Sequence, residues 1–132
     1  QPGPAFDAIF VDGFDKHGRA GILDTLPFYQ SCRARLTAQG LMSVNLLGRS
    51  RGFAASTQRI AEAFDGRALV FPSCDSGNTI AFGTGEEGVD VHLTEMAERA
   101  RQLKTDAGID LFPLLPRLQA AGKLVHDRLI IG

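Results

Sequence analysis

Apolar positions in this chain follow two different periods. Residues 6–11 read Phe-Asp-Ala-Ile-Phe-Val, a short and nearly continuous apolar run closed by Asp12-Gly13. Runs of this kind suit strands buried on both faces, as in parallel sheets. A second run, 41–47, ends at Gly48, and a third, 68–71, ends at Pro72. A fourth, 79–83, follows the turn-prone Asp75-Ser76-Gly77-Asn78. Between the runs, apolar residues recur every three or four positions. Asp24 or Thr25 can cap a helix over 24–38, with Pro27 in its first turn and Leu26, Tyr29, Cys32 or Arg33, and Leu36 at helical spacing. Gln39-Gly40 supplies its stop. A second helix is expected over 54–64, with Ile60, Ala61 and Phe64 on one side. C-terminal helices are expected within about 91–121, the last interrupted by Pro113 and Pro116. The tail, 124–131, is apolar enough to dock or to add a strand.

The element order is therefore β-α-β-α-β-β-α-α. Strands joined through helices should be parallel, with right-handed crossovers. The third and fourth strands, joined by a short link, should be antiparallel. This is an α/β pattern: a mostly parallel sheet with a final antiparallel strand. At 132 residues the chain suits a single domain, 1–132, with a sizeable core. It is 44% hydrophobic and 22% charged with a net charge of −1, a globular balance that argues against a nucleic-acid partner. No apolar run approaches the roughly 20 residues of a bilayer span, so no membrane segment is expected. The first residue is Gln1, and Gln-Pro-Gly-Pro lacks the features of a signal peptide, which reads as a chain whose natural beginning is missing. Cys32 and Cys74 have no metal-ligand spacing, so no metal is expected, and two reduced cysteines fit a cytoplasmic protein.

Ligands of open α/β sheets bind beyond the carboxyl ends of the strands. Asp12 and Asp15 fall at such an end. Two carboxylates three residues apart can hold a cationic amine and accept its proton. A loop in which Asp12 is a cap and Asp15 is solvated fits the same residues. His17 could serve as a base or be simply exposed, whereas His92 and His126 read as structural or solvated. Cys74 would need a basic neighbour to act as a nucleophile, and none is adjacent in sequence. Arg49-Ser50-Arg51 can bind an anionic group or be solvated. Gly83-Thr84-Gly85 follows a strand but leads into Glu86-Glu87 rather than a helix, which is not a dinucleotide-binding loop.

Val11-Asp12, Gly13-Phe14, Asp15-Lys16-His17-Gly18-Arg19 and, further on, Phe28-Tyr29 resemble the spermidine synthase-like (polyamine aminopropyltransferase) family. There a strand ending in Val-Asp is followed by two small residues, then Asp-Pro-x-Gly-Pro, then a helix containing Phe-Tyr. Gly40 before the second strand and Pro72 before the final hairpin also match, and the resemblance covers roughly residues 5 to 85. It implies the C-terminal half of a Rossmann-like, methyltransferase-type fold, in which the last strand inserts between the two before it. It implies Asp15 as the catalytic residue that binds and deprotonates an acceptor amine. Asp12 would lie beside the cofactor, and Tyr29, Asn45, Cys74 and Asp75 would line the substrate. The implied co-substrate of the full-length parent is decarboxylated S-adenosylmethionine or S-adenosylmethionine itself. This chain alone is expected to hold neither and to be inactive.

The departures from the family are specific. Lys16 and Arg19 replace its two prolines, Asn45-Leu46-Leu47 stands where Gln-x-Glu is common, and Cys74 stands where a tyrosine is usual. Loss of the polyamine-binding carboxylate and pocket tyrosine implies an acceptor other than putrescine. The implied partners are a small-molecule amine for the parent and, for this chain, a homodimer built on its first strand. A methyltransferase-like enzyme that uses S-adenosylmethionine, or a non-catalytic association module, fits the same element order.

Overall fold

The computed structural model describes residues 3–12, 24–47, 52–72 and 77–132. Along the chain these form β1 (Phe6–Val11), α1 (Leu26–Ala34), β2 (Leu36–Leu47), α2 (Phe53–Ala63), β3 (Ala68–Val70) and β4 (Asn78–Thr84). They are followed by β5 (Val89–His92), α3 (Leu93–Ala107), α4 (Leu114–Ala120) and β6 (Arg128–Ile131). The chain divides into two compact units, Gln1–Gly88 with Ile131–Gly132, and Val89–Ile130.

In the first unit a four-stranded sheet has the order β1-β2-β4-β3. β1 runs parallel to β2, and β4 runs antiparallel to both β2 and β3. The last strand of the sheet thus lies between the two before it. The segment between β3 and β4 is too short for a crossover helix, so the chain can only turn back.

Side chains alternate between the two faces of the sheet. Ile9, Val11, Met42, Val44, Leu46 and Ala81 share the face on which α1 and α2 pack, with Tyr29, Cys32, Ile60, Ala63 and Phe64 from the helices. None of the opposite-face residues Phe10, Ser43, Phe82 and Leu69, which form one cross-sheet row, belongs to that core. At the β1 end of this row Phe10 is 80% exposed. At the other end Phe82 meets Phe71 edge-on, with ring centroids 4.7 Å apart.

The helix expected from 91 begins at Leu93, because Val89–His92 form β5, and the largest differences from the sequence pattern fall where α1 gives way to β2. α1 ends at Ala34 rather than 38, and β2 begins at Leu36 rather than 41. Thr25 is the N-cap, its hydroxyl accepting from the Phe28 N–H at 3.3 Å. The helix closes when the Arg35 N–H turns back to Cys32 O at 3.1 Å, and Arg35 O then accepts from the Phe6 N–H at 2.7 Å. Leu36, periodic with the helix, is thereby recruited to the ladder opposite Phe6. The register then slips, with Ala8 opposite Leu41, so 37–40 bulge from the ladder. Their carbonyls are served from beyond β4: Gly85 N–H donates to Gly40 O and Glu87 N–H to Ala38 O, each at 2.9 Å. This approach requires a glycine, since a Cβ on Gly85 would lie 2.2 Å from Thr37 O.

The second unit pairs β5 with β6 in a two-stranded sheet. The apolar tail therefore adds a strand, and its partner is β5. His92 caps α3 through Nδ1, which accepts from the Thr94 N–H at 3.0 Å, and Gly108, at φ 72°, ends the helix. β6 is preceded by a tight turn in which His126 and Asp127 both have positive φ (51° and 61°). Val125 and Arg128 exchange backbone hydrogen bonds across it, and Asp127 O accepts from the Leu93 N–H at 2.7 Å.

Candidate functional site

Asp12 is the first residue beyond β1, and Asn45 lies near the end of β2. Pairing of Val11 with Val44 puts them side by side at the carboxyl end of two parallel strands. Asn45 Nδ2 donates to Asp12 Oδ1 at 3.1 Å. Asp12 is exposed, leaving carboxylate lone pairs open to a ligand. The side-chain oxygen of Asn45 is buried and has no hydrogen-bond partner. An unpaired buried acceptor costs about 1–3 kcal/mol. Of the pair, the exposed carboxylate of Asp12 is the acceptor that a cation can reach.

A second polar cluster stands where the connection after β1 enters α1. Asp24 Oδ1 accepts from the Tyr29 hydroxyl at 2.9 Å, and Asp24 Oδ2 accepts from the Ser56 hydroxyl at 2.7 Å. Arg59 Nη1 pairs with the same Oδ2 at 2.9 Å. Ser56 and Arg59 lie one turn apart on α2, so a single carboxylate ties the start of α1 to the first turns of α2. Tyr29 is only 1% exposed. Burial, reinforced by the hydrogen bond to Asp24 and its negative charge, pushes the Tyr29 hydroxyl well above its ordinary pKa. Burial alone raises the Cys32 thiol.

Of the residues singled out from sequence, Asp12 and Asn45 are brought together. Tyr29 sits in the core with its hydroxyl committed to Asp24. Asp15, Cys74 and Asp75 lie outside the described residues, as do Lys16, His17, Arg19 and the Arg49–Arg51 stretch. Ser56 and Arg59 were not anticipated. Their only signal was a serine and an arginine three positions apart on a helix whose other face is apolar. Of the two caps the sequence offered, Asp24 and Thr25, Thr25 takes the role and frees the Asp24 carboxylate for the cluster.

A cleft of about 430 Å³ lies at the other end of the sheet, between the last residues of α1 and α2 and the start of β2. Arg33, Arg67 and Glu86 line it. Arg33 Nη1 bonds Ala63 O at 3.2 Å and Asp65 at 2.9 Å, and Arg67 Nε bonds Gly85 O at 3.0 Å. Arg33 and the Nε of Arg67 are thus engaged, whereas Arg67 Nη2 is buried with no hydrogen-bond partner. Among the described residues no cluster of side chains could hold a metal ion, and no helix is long and apolar enough to cross a membrane.

The fold and this pair of residues define an α/β protein with a mixed sheet and polar groups at the end of the strands where open sheets bind their ligands. In sequence the chain is similar to polyamine aminopropyltransferases, as its motifs suggested. It is 27% identical over 124 residues to the polyamine aminopropyltransferase of Neisseria meningitidis serogroup A, a match covering 91% of this chain and 47% of the relative. The corresponding protein of Chromobacterium violaceum is 24% identical over 125 residues, covering 95% of this chain and 48% of the relative. The chain therefore spans about half the length of the curated relatives it matches. No family model matches the chain.

Proposed function

We propose that this chain is part of an aminopropyltransferase. The complete polypeptide would transfer the aminopropyl group of decarboxylated S-adenosylmethionine to an amine acceptor. The observation that carries this reading is the pairing of Asp12 with Asn45 at the carboxyl end of the sheet, in a chain similar to polyamine aminopropyltransferases over nine-tenths of its length. The parent fold on this reading is Rossmann-like and methyltransferase-type. The strand order β1-β2-β4-β3, with a reversed β4 inside it, supports that assignment.

In the reaction the acceptor nitrogen lone pair attacks the propyl carbon next to the sulfonium. A C–N bond forms as the C–S bond breaks, and the bonding pair leaves with sulfur as a neutral thioether. The leaving group needs no activation, so the protein's task is alignment and removal of one proton from the amine. Asp15, three residues beyond Asp12, takes that proton, while Asp12, oriented by Asn45, holds the cationic amine. Leu47 and Cys74 replace residues that the family uses to hold a diamine. The acceptor is therefore something other than putrescine, with a smaller or acidic amine favoured by Lys16 and Arg19. The isolated chain would bind neither form of S-adenosylmethionine usefully. It would form a homodimer through β1.

Mass spectrometry of the complete polypeptide, incubated with an amine panel and decarboxylated S-adenosylmethionine, tests this. Aminopropylated product, with putrescine among the poorest acceptors, is expected. Efficient spermidine formation would refute the acceptor assignment. Methylated product formed only from S-adenosylmethionine would refute the transfer reaction.

A further inference from the structure

We propose that the cleft at the amino end of β2 binds a small aliphatic zwitterion, a molecule with a carboxylate at one end and an ammonium group at the other. The proposal is independent of the transfer reaction, whose residues lie at the opposite end of β2.

Two unlike charges face the cleft without meeting. Arg67 and Glu86 both line it, yet among the described residues neither forms an ion pair, with the other or with a third side chain. Arg67 is nonetheless anchored. Its Nε donates to Gly85 O at 3.0 Å and to Thr84 O at 3.3 Å. Nη2 is buried without a partner, and Nη1, which bonds none of the described residues, is the corner of the fork left to the cleft. A guanidinium fixed through Nε and short of a counter-charge is oriented for a carboxylate, whose oxygens match its planar fork. Glu86 is exposed, and its ionised carboxylate offers acceptors only.

The surroundings favour a zwitterion over a simple anion. Arg33, the second guanidinium in the cleft, is already answered by Asp65 at 2.9 Å and by Ala63 O at 3.2 Å. That leaves Arg67 and Glu86 as equal and opposite charges. α1 and α2 also present their C-terminal ends here, through Ala34 and Ala63. The carbonyls of a helix C-terminus carry partial negative charge, which repels an anion and attracts a cation. A ligand with a carboxylate alone would gain Arg67 but face Glu86 and both helix ends. A ligand with an ammonium group at its far end satisfies both. Leu36 and Ala38 add apolar wall suited to methylene groups, and a volume of about 430 Å³ admits a small ligand.

The test titrates the isotopically labelled chain with 4-aminobutyrate, butyrate and butylamine, read by backbone amide shifts. 4-Aminobutyrate should move the amides of Arg33, Leu36, Gly85 and Glu86 saturably. Butyrate and butylamine should each bind at least about tenfold more weakly, because each lacks one charge-assisted contact. Glu86→Gln, at an exposed side chain, should cost 4-aminobutyrate a similar factor and leave butyrate no weaker. Arg67→Lys keeps the charge but not the fork, and should weaken 4-aminobutyrate and butyrate alike, whereas Asp12→Asn should weaken neither. No saturable shift, butyrate or butylamine as tight as 4-aminobutyrate, or an affinity indifferent to Glu86→Gln would overturn the proposal. Shifts confined to Asp12 and Asn45 would overturn it too, while leaving the transfer reaction standing, since the amine would then bind at the carboxyl end of the sheet.

Discussion

Asp24 shows how one residue can read differently in sequence and in three dimensions. Its place before an amphipathic helix reads as a cap, yet its carboxylate collects Tyr29, Ser56 and Arg59. Asp24→Ala should lower stability by about 1–3 kcal/mol, because it strands a buried hydroxyl. Arg59→Ala should cost less, its side chain being 39% exposed. Urea midpoints of the two variants check the order. Tyr29 is the chain's only tyrosine, so tyrosinate absorbance reports on it alone. Its folded pKa is raised above the ordinary value of 10.0. Below that value both states hold the proton and this group leaves stability unchanged. Above it the unfolded chain releases the proton first, so stability falls as pH rises. No tyrosinate should form until the chain unfolds in alkali, and Tyr29→Phe should flatten that part of the pH dependence. A tyrosine titrating at its ordinary pKa in the folded chain would contradict the buried Asp24 bond. A fourth substitution tests the close approach at the end of β4. Gly85→Ala places a methyl against Thr37 O, and overpacking of this kind typically costs about 1–3 kcal/mol.

Strands ended by Asp12-Gly13, Gly48 and Pro72 were legible because apolar runs with abrupt polar stops mean little else in an α/β pattern. The reversal of β4 was legible from the shortness of its connection. The start of β2 was not. Leu36 continues the helical spacing of Leu26, Tyr29 and Cys32, and only the Phe6–Arg35 hydrogen bond draws it into the ladder. β5 was hidden in Val-Asp-Val-His, whose final residue is also the cap of α3. β6 was visible as an apolar tail, but nothing in its sequence named β5 as its partner. Within the candidate site, Asp12 could be placed by the carboxyl-end rule alone. Its bond to Asn45 depends on strand register, which the sequence of either strand does not specify. Asn45→Leu should therefore weaken amine binding by the complete polypeptide through loss of the hydrogen bond that orients Asp12, raising KM more than it lowers kcat. An unchanged KM would remove Asn45 from the site.

At the scale of the whole molecule, the chain covers about half of its relatives' length, and among the described residues no strand pairs with the outer edge of β1. Sedimentation of the isolated chain should show a concentration-dependent dimer at micromolar concentration, dispersed by Phe10→Asp. Calorimetry should show no useful binding of either form of S-adenosylmethionine, and micromolar affinity for the chain alone would count against its being a partial site. The central claim, a carboxylate-based amine site at the carboxyl end of β1, is tested most directly in the complete polypeptide. The measurement is single-turnover aminopropyl transfer by wild type, Asp15→Asn and Asp12→Asn, each first shown to fold. Asp15→Asn should lose about 10²–10⁴ in rate, the range expected for a lost general base. Asp12→Asn should lose less, mainly in amine affinity. Transfer unaffected by Asp15→Asn, or no transfer to any amine by the wild-type polypeptide, would contradict that claim.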